Sequence, residues 1–312
     1  ALPIWDTLGS QIVIYTGGTV NTGSISPTLV ATDRNGGGIG NDEGWNLVGN
    51  PYPSAIDWGT DNDPVSGYVR TNLDNSIYIW NGTQYATFNP SGNGGDGQGT
   101  NGGSRYLGSM QGFFIKANDF SPALTFPNNA RLHRSDPNLK RSSSDPQLRF
   151  IFNGNGLSDE MVIAENSFAQ SGFDNKYDAY KLLGVQEAPQ IYCINASDML
   201  TINTIPEFYT DLVIPIGVRV GTTEEYSLTL SEVKHLDPEM ILYIENLKTN
   251  KYTRIEEGEN YSFTAIAPDP KHALNLHFKD KSFDPDIANL DNISIYCVNN
   301  VIYIESPNMI NN

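Results

Sequence analysis

The chain is short of cysteine, of positive charge and of long apolar runs, and each shortage removes a class of function. It holds 2 cysteines in 312 residues, Cys193 and Cys297, without CxxC spacing, so zinc ribbons and thioredoxin-like redox sites fall away. The two could close one disulfide clamping the tail; a pair of free, buried thiols is the better reading, because a lone pair carries no framework. Lys and Arg number 19 against 36 Asp and Glu, which gives a net charge of −17 and a pI near 4.5. Nucleic acid and anionic lipid both favour a basic surface, so neither is expected as a partner. No apolar run approaches the roughly 20 residues of a membrane-spanning helix, and no basic segment followed by an apolar one opens the sequence. It starts at Ala1 already inside strand-like sequence, which predicts an excised fragment of a longer protein.

Catalytic patterns are missing as well. There is no GxSxG turn for a serine nucleophile. The four histidines (His133, His235, His272 and His277) have no partner spacing and read as surface or turn residues. His277 alternates with Leu274, Leu276 and Phe278, which puts it on the solvated face of its strand. Adjacent acids such as Glu224 with Glu225, and Glu256 with Glu257, read as solvated charge, and the carboxylate spacing of a glycosidase is a three-dimensional matter. The chain is read as non-enzymatic.

What the chain does have is glycine, proline and tyrosine: 29, 18 and 16 residues, with 38% hydrophobic and 18% charged residues. Such a mixture favours short strands and turns around real cores. The expected fold is all-β: two β-sandwich domains, jelly-roll or immunoglobulin-like, and a truncated C-terminal β-hairpin tail. The first module spans 1–128, with strands at QIVIYT (Gln11 to Thr16), WNLVG, GYVR, SIYIW, QYATF and GFFIKA. SIYIW-NG-TQYATF predicts a hairpin with a type I′ turn at Asn81-Gly82. Two glycine-rich stretches, 33–42 and 91–103, read as loops, the second as solvated and mobile. A polar, locally basic connector (Arg131, Arg134, Lys140, Arg141) covers 129–147. The second module, 148–280, is a series of short alternating strands with one helical hint around Tyr177 to Leu183. The tail, 281–312, begins a further hairpin, ISIYCV-NN-VIYIES.

The densest signal is GWNLVGNPYPSAIDW, Gly44 to Trp58. Pro51 and Pro53 fix φ and remove two donors, while Trp45, Leu47, Val48, Tyr52, Ile56 and Trp58 want burial. This predicts an ordered, buried corner of a β domain. WNLVGNPYPSAIDW also resembles a recurrent segment of cell-surface and secreted proteins that Gram-negative bacteria export through the type IX secretion system. YLGSMQGFFIKAN (Tyr106 to Asn118), SGFDNKYDAYKLLG (Ser171 to Gly184) and LTINTIPEF (Leu200 to Phe208) carry the same resemblance, in the same order. ISIYCVNNVIYIESPNMINN (Ile293 to Asn312) is similar to the opening of the C-terminal sorting domain of those proteins, cut off before its end. The resemblance implies a β module exported across the outer membrane, at the cell surface or released from it, and speaks less to any activity.

Candidate site residues follow from aromatics and acids. Flat rings among Asn, Asp and Gln suit sugar stacking, and Tyr52, Trp58, Trp80 and Tyr85 are the aromatic candidates, although most such rings belong in cores. Trp80 and Tyr85 flank the Asn81-Gly82 turn and are expected to reach solvent. DWGTDNDP brings Asp57, Asp61 and Asp63 into one loop, where hard oxygens suit calcium, but Val65 at the third ligand position breaks the EF-hand pattern. No other cofactor is implied. The expected function is adhesion or binding of an extracellular protein or glycan by a monomer, with an accessory carbohydrate-binding region of a larger exported enzyme, or a structural spacer presenting the sorting tail, as alternatives.

Overall fold

A computed structural model describes residues 19–34, 36–132, 145–267, 272–283 and 285, together with the backbone of short strands at 4–5, 11–12, 294–298 and 301–305. Its architecture is all-β. Among the described residues no helix is long and apolar enough to cross a membrane.

The first sheet has five antiparallel strands in the order Trp45–Gly49, Gly112–Lys116, Ile77–Trp80, Tyr85–Asn89 and Gln98–Thr100. Alternation sends Val48, Ile77, Phe88, Phe113 and Ile115 to one face. There they meet Tyr52, Trp58, Leu107 and Phe126 from the connecting segments and close a core. The proline-rich corner is ordered by Asn50, whose side chain accepts from the Tyr52 N–H (3.0 Å) and donates to the carbonyls of Ser54 and Gly108 (2.8 Å each). An Asx residue closing its own turn in this way satisfies backbone groups that the prolines leave without ladder partners.

The second sheet follows the order Lys251–Arg254, Ile241–Asn246, His272–Lys279, Val213–Arg219, Gln190–Asn195, Asp198–Ile205, Leu157–Glu165, Gln147–Gly154, Glu224–Lys234 and Asn260–Ala265. Leu157–Glu165 and Asp198–Ile205 are parallel; the other pairs along this path are antiparallel. The sheet curls until it is nearly closed around one core that runs from Leu148, Phe150 and Phe152 to Leu274, Leu276 and Phe278. The predicted strands of this region are present. The helical hint is not: Ala179–Tyr180 is a short strand on Asp198–Ile205, because Ala179 and Tyr180 are drawn into the packing between the two sheets.

Two expectations for the first region need correction. The hairpin Ile77–Trp80/Tyr85–Asn89 exists, but Trp80 pairs with Tyr85, so its connection is the four residues 81–84. Asn81 is not at positive φ; its Oδ1 instead accepts from the N–H groups of Thr83 (3.1 Å) and Gln84 (2.9 Å). The stretch 91–103 is an ordered part of the fold. It contains a 3₁₀ turn at Asn93–Gly95 and the fifth strand, with Ser91, Gln98 and Thr100 buried. Its glycines serve close approach: a Cβ at Gly103 would lie 1.9 Å from the Thr87 carbonyl oxygen, and one at Gly99 2.0 Å from that of Gly103.

The packing of the first region continues through Ala130, which is fully buried, and Leu132, whose N–H bonds the Ala55 carbonyl at 2.8 Å. His133, Arg134, Lys140 and Arg141 of the basic connector lie outside the described residues. In the tail, Ser294–Val298 pairs with Val301–Glu305 up to Val298 opposite Val301; the turn residues Asn299 and Asn300, and the side chain of Cys297, also lie outside them. Cys193 is a free, buried thiol whose Sγ meets Met161 Sδ at 3.3 Å, and burial pushes its pKa up.

Candidate functional site

The outer faces of the two sheets meet through Tyr78, Val162, Ala164, Ala179 and Ile202, all buried, with Trp45, Tyr85, Phe114 and Leu182 around them. A dense polar network surrounds this apolar centre. Lys181 pairs with Asp159, whose carboxylate also accepts from the Asn101 side chain (2.9 Å) and the Ile191 N–H (2.7 Å). Arg149 donates to Glu160 and to the Gly99 carbonyl, both at 2.9 Å, and the Asn101 N–H reaches Glu160 at 2.8 Å. Burial pushes the Asp178 carboxyl up to about 8 against hydrogen bonds from the Thr204 and Asp174 N–H groups. Burial likewise lifts Asp74 to about 6, opposed by Lys116. Asp174, Asp178 and Lys181 come from SGFDNKYDAYKLLG and Asn101 from the glycine-rich stretch, while Arg149, Asp159 and Glu160 sit on Gln147–Gly154 and Leu157–Glu165, and Asp74 and Lys116 belong to the first region. Sequence reasoning missed their role, although Asp174, Asp178 and Lys181 set among aromatic and apolar residues in one short segment are the signal that a buried network leaves.

The aromatic candidates divide. Tyr52 and Trp58 are 0% and 1% exposed, which corrects their assignment as ligand contacts. The Tyr52 hydroxyl lies 2.6 Å from the Gly23 carbonyl oxygen and 2.9 Å from that of Phe126. The Trp58 ring is covered by the Arg70 guanidinium at 4.0 Å and packs edge-on to Phe113 and Phe126. Trp80, by contrast, is 42% exposed, with its ring 5.1 Å from that of Tyr85, which in turn approaches Phe114.

Register shows what surrounds Trp80. Phe114 lies opposite both Tyr78 and Leu47, and Gly112 opposite Gly49. With a side-chain period of two, Leu47, Gly49, Gly112, Phe114, Tyr78, Trp80 and Tyr85 share one face. The second sheet covers the Tyr78 end. The other end remains open as an apolar shelf, with Leu47 68% exposed and two bare glycines beside Trp80. Neither glycine is needed for packing: among the described residues a Cβ at Gly112 or Gly49 would meet nothing nearer than 3.8 Å, and neither has positive φ.

Next to the shelf, the Gln84 amide donates to the Ser158 carbonyl across the junction. Ser158 begins a row across the second sheet, Ser158, Asn153, Ser227 and Ser262, each opposite the next. The row floors a shallow polar groove of about 500 Å³ with Glu225 on one side.

The acidic loop is internally neutralised. Arg105 holds Asp57 through two bonds (2.6 and 2.7 Å) and reaches Asp63 at 3.0 Å, while Lys176 faces Asp61 at 3.4 Å. Their carboxylates therefore face cations rather than converge on a vacant centre. Among the described residues no group of three or more His, Cys, Asp or Glu is arranged to hold a metal ion.

His277 is 6% exposed, which corrects the solvated position expected for it. It does lie on the outer face, but Tyr252 stacks edge-on at 5.0 Å and Glu245 takes its Nε2 at 2.8 Å. Burial works against the Glu245 charge, yet hydrogen bonds from Asn275 and His277 hold its pKa below the usual carboxylate value.

No curated protein and no solved structure matches the chain significantly. One family model does, over residues 10–278, and is described as a domain of unknown function, DUF8693. That match takes in both sheets and the junction between them, and the chain belongs to this family.

Proposed function

We propose that this chain is a non-enzymatic adhesion or binding region, built as two β-sandwich modules, that acts as a monomer at the bacterial cell surface or outside the cell. The sequence resemblance to cargo of the type IX system supports that location and export route. The ligand class we favour is a glycan, and one observation carries it: Trp80 stands half-exposed beside Gly49 and Gly112, glycines that neither packing nor backbone conformation requires. Glycine within a strand weakens it and marks places where another group must approach closely. A sugar ring stacked on Trp80 would lie over that bare floor, and the hydroxyl- and amide-lined groove beyond Gln84 offers hydrogen bonds to neighbouring sugars.

The test is a glycan array probed with the recombinant chain, its Trp80→Ala variant and its Gly112→Leu variant. Binding by the parent that both variants lose supports the reading. Absence of binding across host and microbial glycans, or binding that both variants keep, removes the shelf as the glycan site.

A further inference from the structure

A second concavity, far from the shelf in sequence, opens into one end of the large core with a volume of about 340 Å³. Its origin lies in the backbone. The ladder between Gln190–Asn195 and Val213–Arg219 stops at Cys193 opposite Ile216, although both strands run on. The next residue, Pro215, has no N–H to offer a ladder. Ile194 and Pro215 then face the gap instead of each other, with Ile205 and Leu212 as further apolar walls. Tyr209 and Val213 stand at the mouth, 54% and 41% exposed.

One polar side chain of this pocket stands apart from the others by its burial. Asn203 lines the pocket at 4% exposure, and its Oδ1 has no hydrogen-bond partner among the described residues. An unpaired buried acceptor is costly, and native structures seldom keep one without a use. Among the described residues no Lys or Arg lines the pocket, and Glu207 lies at it, so the surroundings disfavour an anion. Apolar walls from Ile194, Ile205, Leu212 and Ile214, with Ser171, Asn195 and Glu207 as a polar border and Asn203 as the buried polar group, match the usual anatomy of a small-molecule site.

We propose that this pocket binds a small apolar molecule, about one aromatic ring in size, that donates one hydroxyl or N–H hydrogen to Asn203 Oδ1. The site is independent of the glycan reading, since it lies on other strands and has different chemistry.

The test uses p-cresol and toluene, which share a ring and a methyl group and differ in the hydroxyl. Both are titrated into the full ¹⁵N-labelled chain while the amide resonances are followed. Expected are saturable shifts at Asn203 and Val213, with toluene at least about tenfold weaker, as the loss of one hydrogen bond to a buried group implies. Asn203→Leu should abolish the difference between the probes. Val213→Trp, at the exposed mouth, should exclude both. p-Cresol binding no better than toluene in the parent, or binding that Val213→Trp leaves unchanged, overturns the proposal; so does the absence of saturable shifts, which would leave Asn203 satisfied by water alone.

Discussion

The ammonium of Lys181 rests against the Asp159 carboxylate with only 2% and 0% of the two side chains reached by solvent. Asn101, from the glycine-rich stretch of the other sheet, holds the second carboxylate oxygen. A charge pair inside the larger β unit is thus completed by a residue of the smaller one.

Removing one member of such a pair leaves its partner charged and dry. Lys181→Met should lower stability by about 3–5 kcal/mol, and the double variant Lys181→Met/Asp159→Leu should recover much of that. Urea unfolding curves of the three chains measure it. A single-variant loss below about 1 kcal/mol would show that the pair is hydrated.

Asp178 makes stability depend on pH in a direction opposite to that of an ordinary salt-bridged acid. Its folded pKa, about 8, lies above the 3.8 of an unperturbed aspartate, so between these values the folded state holds the extra proton. Stability from this group is therefore full below about pH 4 and declines as pH rises towards 8, with a slope approaching about 1.4 kcal/mol per unit. Asp178→Asn removes this slope, whatever its absolute cost. The comparison is of unfolding free energy against pH for the two chains; parallel profiles would show an ionised Asp178 in the fold.

The two solvent classes of tryptophan should separate cleanly. Trp58→Ala removes a fully buried ring and should cost about 3–5 kcal/mol, whereas Trp80→Ala should cost under about 1 kcal/mol and act on binding. Denaturant midpoints at constant m-value distinguish them.

Glycine at 103 is required by contact rather than by flexibility. Gly103→Ala should destabilise by about 1–3 kcal/mol or more, because the added carbon overlaps the Thr87 backbone. Gly172→Ala, where a Cβ meets nothing within 4 Å, should stay within about 0.5 kcal/mol. Thermal unfolding of both variants provides the check, and equal midpoints would contradict the close approach.

Much of the all-β architecture was legible. Alternation in WNLVG, SIYIW, QYATF and GFFIKA marks strands of the first sheet, and the short alternating runs after Leu148 mark the second. Local pattern failed where tertiary contact decides. Glycines 97, 99 and 103 read as entropy and turned out to be clearance for Phe88, Thr87 and their own turn. Asn81-Gly82 read as a two-residue turn, yet the loop widens to dock, with the Val185 N–H on the Thr83 carbonyl at 2.8 Å. His277 obeys its alternation and is buried all the same, because Tyr252 folds over the outer face. Of the candidate site, exposure at Trp80 was readable from its place beside a turn. Its bare neighbours Gly49 and Gly112 were not, since only strand register brings 49, 80 and 112 to one surface.

The glycine-rich stretch also changes how proteases should meet this protein. Such a segment is ordinarily the first place a chain is nicked, since cleavage needs several residues of free, extended backbone. Here Gln98–Thr100 is a paired strand and Asn101 is fastened to Glu160 and Asp159. The scissile bonds become reachable only when Asn101 leaves the junction and the strand also lifts from Tyr85–Asn89. Cleavage between 97 and 103 is therefore a clock for that joint opening, ticking at the frequency with which edge strand and junction breathe together.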